Sequence, residues 1–132
     1  LFITYPQHHK HSYYLIKSSG PATFDPMELE LIANVARYHR KAHPSLNHLP
    51  FGQLSSKQQD IVRKLAAILR IADALDFGHQ SKVKNLDCKL AAPKRMVSIR
   101  LEGAQDFEDE IDCASGKAGL MNEVYGIRTV FR

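Results

Sequence analysis

Residues 61–80 read IVRKLAAILRIADALDFGHQ. Ile61, Leu65, Ile68, Ala72 and Leu75 recur at spacings of four, three, four and three, which is one stripe of an α-helix. Val62, Ala66 and Leu69 make a second stripe beside it. A helix apolar over that much of its circumference is expected in the middle of a bundle and not on its rim. The second stripe runs on into Asp73 and Asp76. A buried carboxylate costs several kcal/mol unless it is paired, hydrogen-bonded or metal-bound. Asp73 therefore needs a partner, and the histidines upstream are the obvious source of one.

Working outward towards the N-terminus, HHKHSYYLIKS (8–18) reads as a short helix with His8, His11 and Leu15 on one face, stopped by Ser18-Ser19-Gly20-Pro21. Asp25-Pro26-Met27-Glu28 supplies an N-cap, a proline at the first helical position and a reciprocal acid at the third. The helix it starts is expected to run to about Lys41. Leu29, Ile32, Ala36 and His39 place His39 on its buried stripe, leaving Arg37, Arg40 and Lys41 towards solvent or a ligand. A loop with Pro44, Asn47, Pro50 and Gly52 follows. Ser55 or Ser56, with Gln58 or Gln59 three residues on, then caps the central helix, which is expected to end near Phe77-Gly78.

After Gln80 the period changes. Val83, Asn85, Asp87 and Lys89 alternate with Lys84, Leu86, Cys88 and Leu90, the two-residue repeat of a half-buried strand. Pro93-Lys94 marks a turn and Met96 to Leu101 alternates again, so a hairpin is expected. Phe107 to Cys113 alternates against acidic residues as a third strand. Ala114 to Tyr125 has helical spacing ended by Gly126, and Ile127 to Phe131 is a last strand. The fold class is α+β. A helical domain over residues 1–80 precedes a small α/β domain over 81–132, whose mainly antiparallel sheet carries one packed helix in the order β-β-β-α-β.

The chain has 132 residues, enough for one ordinary domain or two small lobes. Hydrophobic content of 44% with 24% charged residues is ordinary for a soluble protein. A net charge of +4 and a pI near 9.1 lean mildly towards anionic partners. Cys88 and Cys113 form neither a disulfide framework nor a CxxC knuckle, and are read as reduced thiols of a cytoplasmic protein. No apolar run approaches the ~20 residues of a membrane span, so no membrane partner is expected. The opening LFITYPQ lacks an initiator Met and reads as the continuation of a longer protein. All seven histidines lie within residues 1–80, while lysines and arginines divide evenly between the two parts.

His11, His39 and Asp73 thus sit on the apolar faces of three successive helices. Imidazole and carboxylate are the ligand set of a divalent metal such as Mn, Fe, Mg or Zn between helices. The alternative is that both histidines are core residues satisfied by a backbone carbonyl or by Asp73. Three ligands would in any case leave the site incomplete.

HHKHSYYLI (8–16), RYHRKAHP (37–44) and KLAAILRIADALDFGHQ (64–80), with the tail VYGIRTVF, resemble the C-terminal region of the exopolyphosphatase/guanosine pentaphosphate phosphatase family. The resemblance covers nearly the whole chain in three ordered blocks. It implies an HD-like helical domain, truncated at its N-terminus, and a small α/β cap. Upstream, two actin-like ATPase-fold domains would hydrolyse polyphosphate or pppGpp with Mg. Those domains and their phosphate loops are absent, since Gly20, Gly52 and Gly78 stand alone, so the chain by itself is expected to be inactive, with no catalytic residue and no cofactor of its own.

His11, His39 and Asp73 match metal positions of the wider HD superfamily, whose signature His-Asp pair would precede Leu1. The resemblance further implies a homodimer and a helical domain lining a channel for inorganic polyphosphate or pppGpp. Lys10, Arg37, Arg40, Lys41, Arg70 and His79 are the cations near the helical ends that could face that polyanion, Arg40 and Lys41 foremost, the alternative for each being a solvated helix surface. The competing readings are a metal-dependent HD-type phosphohydrolase acting on nucleotides, and a purely structural or dimerisation module. Nucleic acid is not expected, because no basic strand is interleaved with aromatics.

Overall fold

The computed structural model describes residues 8–103 and 106–132, the side chains of His8 and His9 excepted. The expected place of His8 on the inner face of the first helix therefore lies outside the described residues. The chain divides into two compact units, residues 1–69 and 70–132, and each is described by itself.

In the first unit, α1 (His8–Ser19) is followed by α2 (Pro26–Arg37), a single-turn α3 (Leu49–Gly52) and the long α4 (Ser56–Ala74), whose last turn enters the second unit. α1 closes on Gly20, whose amide donates to the Ile16 carbonyl at 2.9 Å, and a Cβ there would stand 2.5 Å from that same oxygen, so the position suits glycine. Both expected caps form. Asp25 accepts from the Glu28 amide at 2.8 Å while Glu28 accepts from the Asp25 amide at 2.9 Å. Ser55 and Gln58 repeat the exchange before α4, at 3.3 and 2.9 Å. Each cap satisfies two amides that the helix itself cannot.

α2 stops at Arg37, short of the expected Lys41. The Tyr38 amide is shared between the Asn34 and Val35 carbonyls, the His39 ring takes the Ala36 carbonyl, and Lys41 turns left-handed at φ 48°. α4 also departs from expectation. Val62, Ala66 and Ala67 are buried, but Leu65 and Ile68 are each 48% exposed. The stripe beginning at Ile61 thus lies largely open among the described residues, and α4 has more apolar surface than is enclosed.

In the second unit, β1 (Asn85–Ala91) pairs antiparallel with β2 (Met96–Glu102) through a 3-10 turn at Ala92–Lys94. α5 (Glu108–Lys117) and α6 (Gly119–Tyr125) follow, and β3 (Arg128–Phe131) returns parallel to β2, giving the sheet order β1-β2-β3. The strand expected over Phe107–Cys113 is helix. Its first turn holds Glu108, Asp109 and Glu110, which favour a helix N-terminus, and Asp106 accepts from the Glu108 amide at 3.1 Å. Glu110, Ala114 and Ala118 are buried at four-residue spacing, a period that the short alternation concealed. The order is therefore β-β-α-α-β and the sheet is mixed, because the two-helix crossover brings β3 back parallel. Gly126 ends α6 at φ 61°, where a Cβ would be strained. Ile71, Ala74, Leu75, Ile99, Leu101, Ala114, Ala118 and Phe131 form this unit's core.

Candidate functional site: a basic cleft between the first two helices

α1 and α2 pack side by side and are pinned by Glu30. Its Oε1 accepts from the Tyr13 hydroxyl at 2.6 Å and from Asn34 Nδ2 at 3.1 Å, and its Oε2 pairs with Lys17. Burial pushes the Glu30 carboxyl up, but hydrogen bonds from Lys17 and Tyr13, the Lys17 charge and Asn34 outweigh it, and the net effect is a lowered pKa. Burial and the same carboxylate raise the Tyr13 phenol far above its ordinary value, so it stays a donor.

Beside this pin, Lys10, Tyr13, Tyr14 and Arg37 line a cleft of about 180 Å³. Lys10 comes from the first turn of α1 and Arg37 from the last residue of α2. The Arg37 guanidinium lies 5.6 Å from the Tyr38 ring centroid, a stacking that restrains the planar fork. Tyr13 and Tyr14 meet edge to face at 5.4 Å.

The charge of this cleft reaches His48. Burial first, then the positive charges of Arg37 and Lys10, hold its imidazole below the ordinary value. His48 Nδ1 lies 2.7 Å from the Tyr38 hydroxyl and its ring stacks on Tyr38 at 5.6 Å. Tyr38 in turn meets Phe51 edge-on, so the loop is anchored on a buried aromatic.

The sequence-derived cations are placed as follows. Lys10 and Arg37 share the cleft. Arg40 and Lys41 continue the chain beyond α2, one half-buried and one exposed. Arg70 is only 5% exposed, and burial lowers its pKa; it is not presented to solvent as a surface cation would be. His79 is exposed in the second unit, 3.9 Å from Asp76. His48, Tyr13, Tyr14 and Tyr38 were not singled out by sequence.

The expected metal ligands divide between the two units, His11 and His39 in the first and Asp73 in the second. Among the described residues no group of three or more His, Cys, Asp or Glu side chains is placed to hold a metal ion. His39 directs Nδ1 to the Ala36 carbonyl, and His11 is half-buried on α1. Asp73 accepts from Lys117 Nζ at 3.3 Å, an ammonium supplied by α5. Cys88 and Cys113 are both free thiols. Among the described residues no helix is long and apolar enough to cross a membrane.

No curated protein matches the chain. The family of the Ppx/GppA phosphatases, domain III, matches residues 1–115. That is most of the chain, and it runs through α1, α2, α4 and the hairpin into α5, so the chain belongs to the Ppx/GppA phosphatase family as its domain III.

Proposed function

We propose that this chain is an accessory, non-catalytic region of a phosphatase acting on inorganic polyphosphate or pppGpp, and that it holds the polyanion through the cleft of Lys10 and Arg37. The observation that carries this reading is the meeting of those two cations from different helices around one opening. Fixed guanidinium and mobile ammonium are complementary donors for phosphate oxygens, one planar and one a point charge. The cleft's volume of about 180 Å³ falls below the ~300 Å³ at which pockets begin to hold drug-sized ligands, which favours a short run of phosphoryl groups over a whole nucleotide. The exposed Tyr14 supplies a wall and a hydroxyl, while the Tyr13 hydroxyl is committed to Glu30.

The test is titration of long-chain polyphosphate into the chain at low salt. Wild type should bind, Lys10→Ala/Arg37→Ala should lose at least tenfold in affinity, and Lys57→Ala/Lys94→Ala, which removes two exposed cations elsewhere, should not. An equal loss in the control pair would mean that net charge and not the cleft does the binding. An Arg40→Ala/Lys41→Ala variant measures how far the track extends along the chain. Undetectable binding by wild type would leave the structural-module reading.

A further inference from the structure

We infer that the cleft between the end of α4 and the start of β1 binds a small zwitterion with an aliphatic body, an apolar α-amino acid, through Asp76 and Lys84.

Asp76 is the second carboxylate of the central helical stretch, and the anion cleft makes no use of it. Asp73 meets Lys117, whereas among the described residues no lysine or arginine pairs with Asp76. Its Oδ1 accepts from the Ser81 amide at 2.9 Å, and its carbonyl accepts from the His79 amide at 2.9 Å. Those two bonds close a loop in which His79 and Ser81 both turn left-handed, at φ 53° and 50°. A residue with a side chain adopts that conformation at a cost, and such strain concentrates at ligand sites. The loop fixes the carboxylate while leaving its side chain 48% exposed, with His79 Nδ1 3.9 Å from Oδ2. Oδ1 is committed to the backbone and Oδ2 is left for a further donor.

The facing wall is the entry to β1. The Lys84 amide donates to the Glu102 carbonyl at 2.8 Å, and Glu102 is also the residue that Asn85 faces in the ladder. Two consecutive residues thus oppose one, the pattern of a β-bulge, which re-aims side chains beside a site. Asn85 is tied to Glu102 through Nδ2 at 3.1 Å, whereas Lys84 is exposed and forms no ion pair among the described residues. Leu75, Val83 and Leu86 give the cleft its apolar floor.

The cleft lies wholly within the second unit, and its volume of about 440 Å³ falls in the ~300–1,000 Å³ range of small-molecule sites. Its lining carries one anion and one cation, so a singly charged ligand would answer one and leave the other. A zwitterion answers both, with its ammonium on Asp76 and its carboxylate on the flexible Lys84. The apolar wall is aliphatic. It has no aromatic platform for a base or a sugar ring, and no glycine that would let backbone amides close on a phosphate. An aliphatic side chain is the body that fits. This inference stands apart from the anion cleft, and either can fail without the other.

The experiment is a titration of L-leucine into the isotope-labelled chain at neutral pH, followed by heteronuclear NMR. The amides of Asp76, Ser81 and Val83 to Leu86 should shift together and saturate. Leucinamide lacks the carboxylate, isocaproate lacks the ammonium and glycine lacks the body; each should bind about tenfold more weakly or worse. Lys84→Gln should reduce leucine to the affinity of leucinamide while leaving leucinamide itself unchanged. Asp76→Asn keeps an oxygen for the Ser81 amide, and should weaken leucine about tenfold with unchanged circular dichroism. The absence of a saturable shift with leucine overturns the inference. So do shifts centred away from this cleft, or equal affinities of the wild-type chain for leucine and leucinamide.

Discussion

Glu30 holds α1 onto α2, and removing it should release the helix that carries half of the cleft. The carboxylate is 18% exposed, accepts from Tyr13 at 2.6 Å and Asn34 at 3.1 Å, and pairs with Lys17, whose side chain is 36% exposed. A hydrogen bond to a charged group contributes about 1.5–3 kcal/mol, and a partly exposed ion pair about 0.5 kcal/mol. Asn34 Nδ2 keeps the Glu30 carbonyl at 2.9 Å after truncation, which limits the loss. Glu30→Ala should therefore cost about 2–3 kcal/mol and Tyr13→Phe about 1.5 kcal/mol, with a coupling of about 1 kcal/mol in the double-mutant cycle.

Urea denaturation at pH 7 measures all three. The pH dependence has a definite sign. The folded carboxyl has a lowered pKa, so its contribution is complete above the ordinary carboxylate range and is lost as pH falls through the folded value. Wild type and Glu30→Ala should converge in acid. Strict additivity of the two substitutions, or a cost undiminished well below pH 4, would refute the pin.

Three other outcomes follow from named contacts. Glu110 is 2% exposed and its ion-pair partner is Lys82 at 3.4 Å; Lys82→Ala should destabilise the second unit by about 2–3 kcal/mol, and Lys82→Met/Glu110→Met should recover most of that in thermal melts. Asp25→Ala should cost about 1 kcal/mol by opening the cap of α2, read by denaturation, and Asp25→Asn should cost less. The lowered pKa of His48 means that the unfolded chain binds its proton first, so stability should climb as pH rises towards ~6.5 and level off above it. Polyphosphate in the cleft should raise the His48 pKa by offsetting Lys10 and Arg37, a shift that a histidine-detected NMR titration follows.

Local chemistry was legible in the sequence wherever it acts over a few residues. The Asp25–Glu28 and Ser55–Gln58 caps, the hairpin around Pro93 and the Gly126 stop all form where their residues predict. Phe107–Cys113 misled because seven residues of alternation also fit a helix with Glu110, Ala114 and Ala118 inward, and acidic residues crowding a first turn were the stronger signal. Lys10 and Arg37 were recognisable as cations, but their meeting depends on how α1 lies on α2, which no spacing within one helix encodes. His48 escaped notice because it joins the cleft through Tyr38 from a loop without periodicity. Asp73 pairs with Lys117, forty-four residues downstream on α5, a contact that no local spacing encodes.

The salt dependence of polyphosphate binding tests the central claim most directly. Two cations neutralising two phosphates should give a log–log slope of about −1.4, taking the ~0.7 per contact of single-stranded nucleic acid, and Lys10→Ala/Arg37→Ala should flatten it towards zero. An equally steep slope in wild type and variant would contradict the cleft as the site where the polyanion is held.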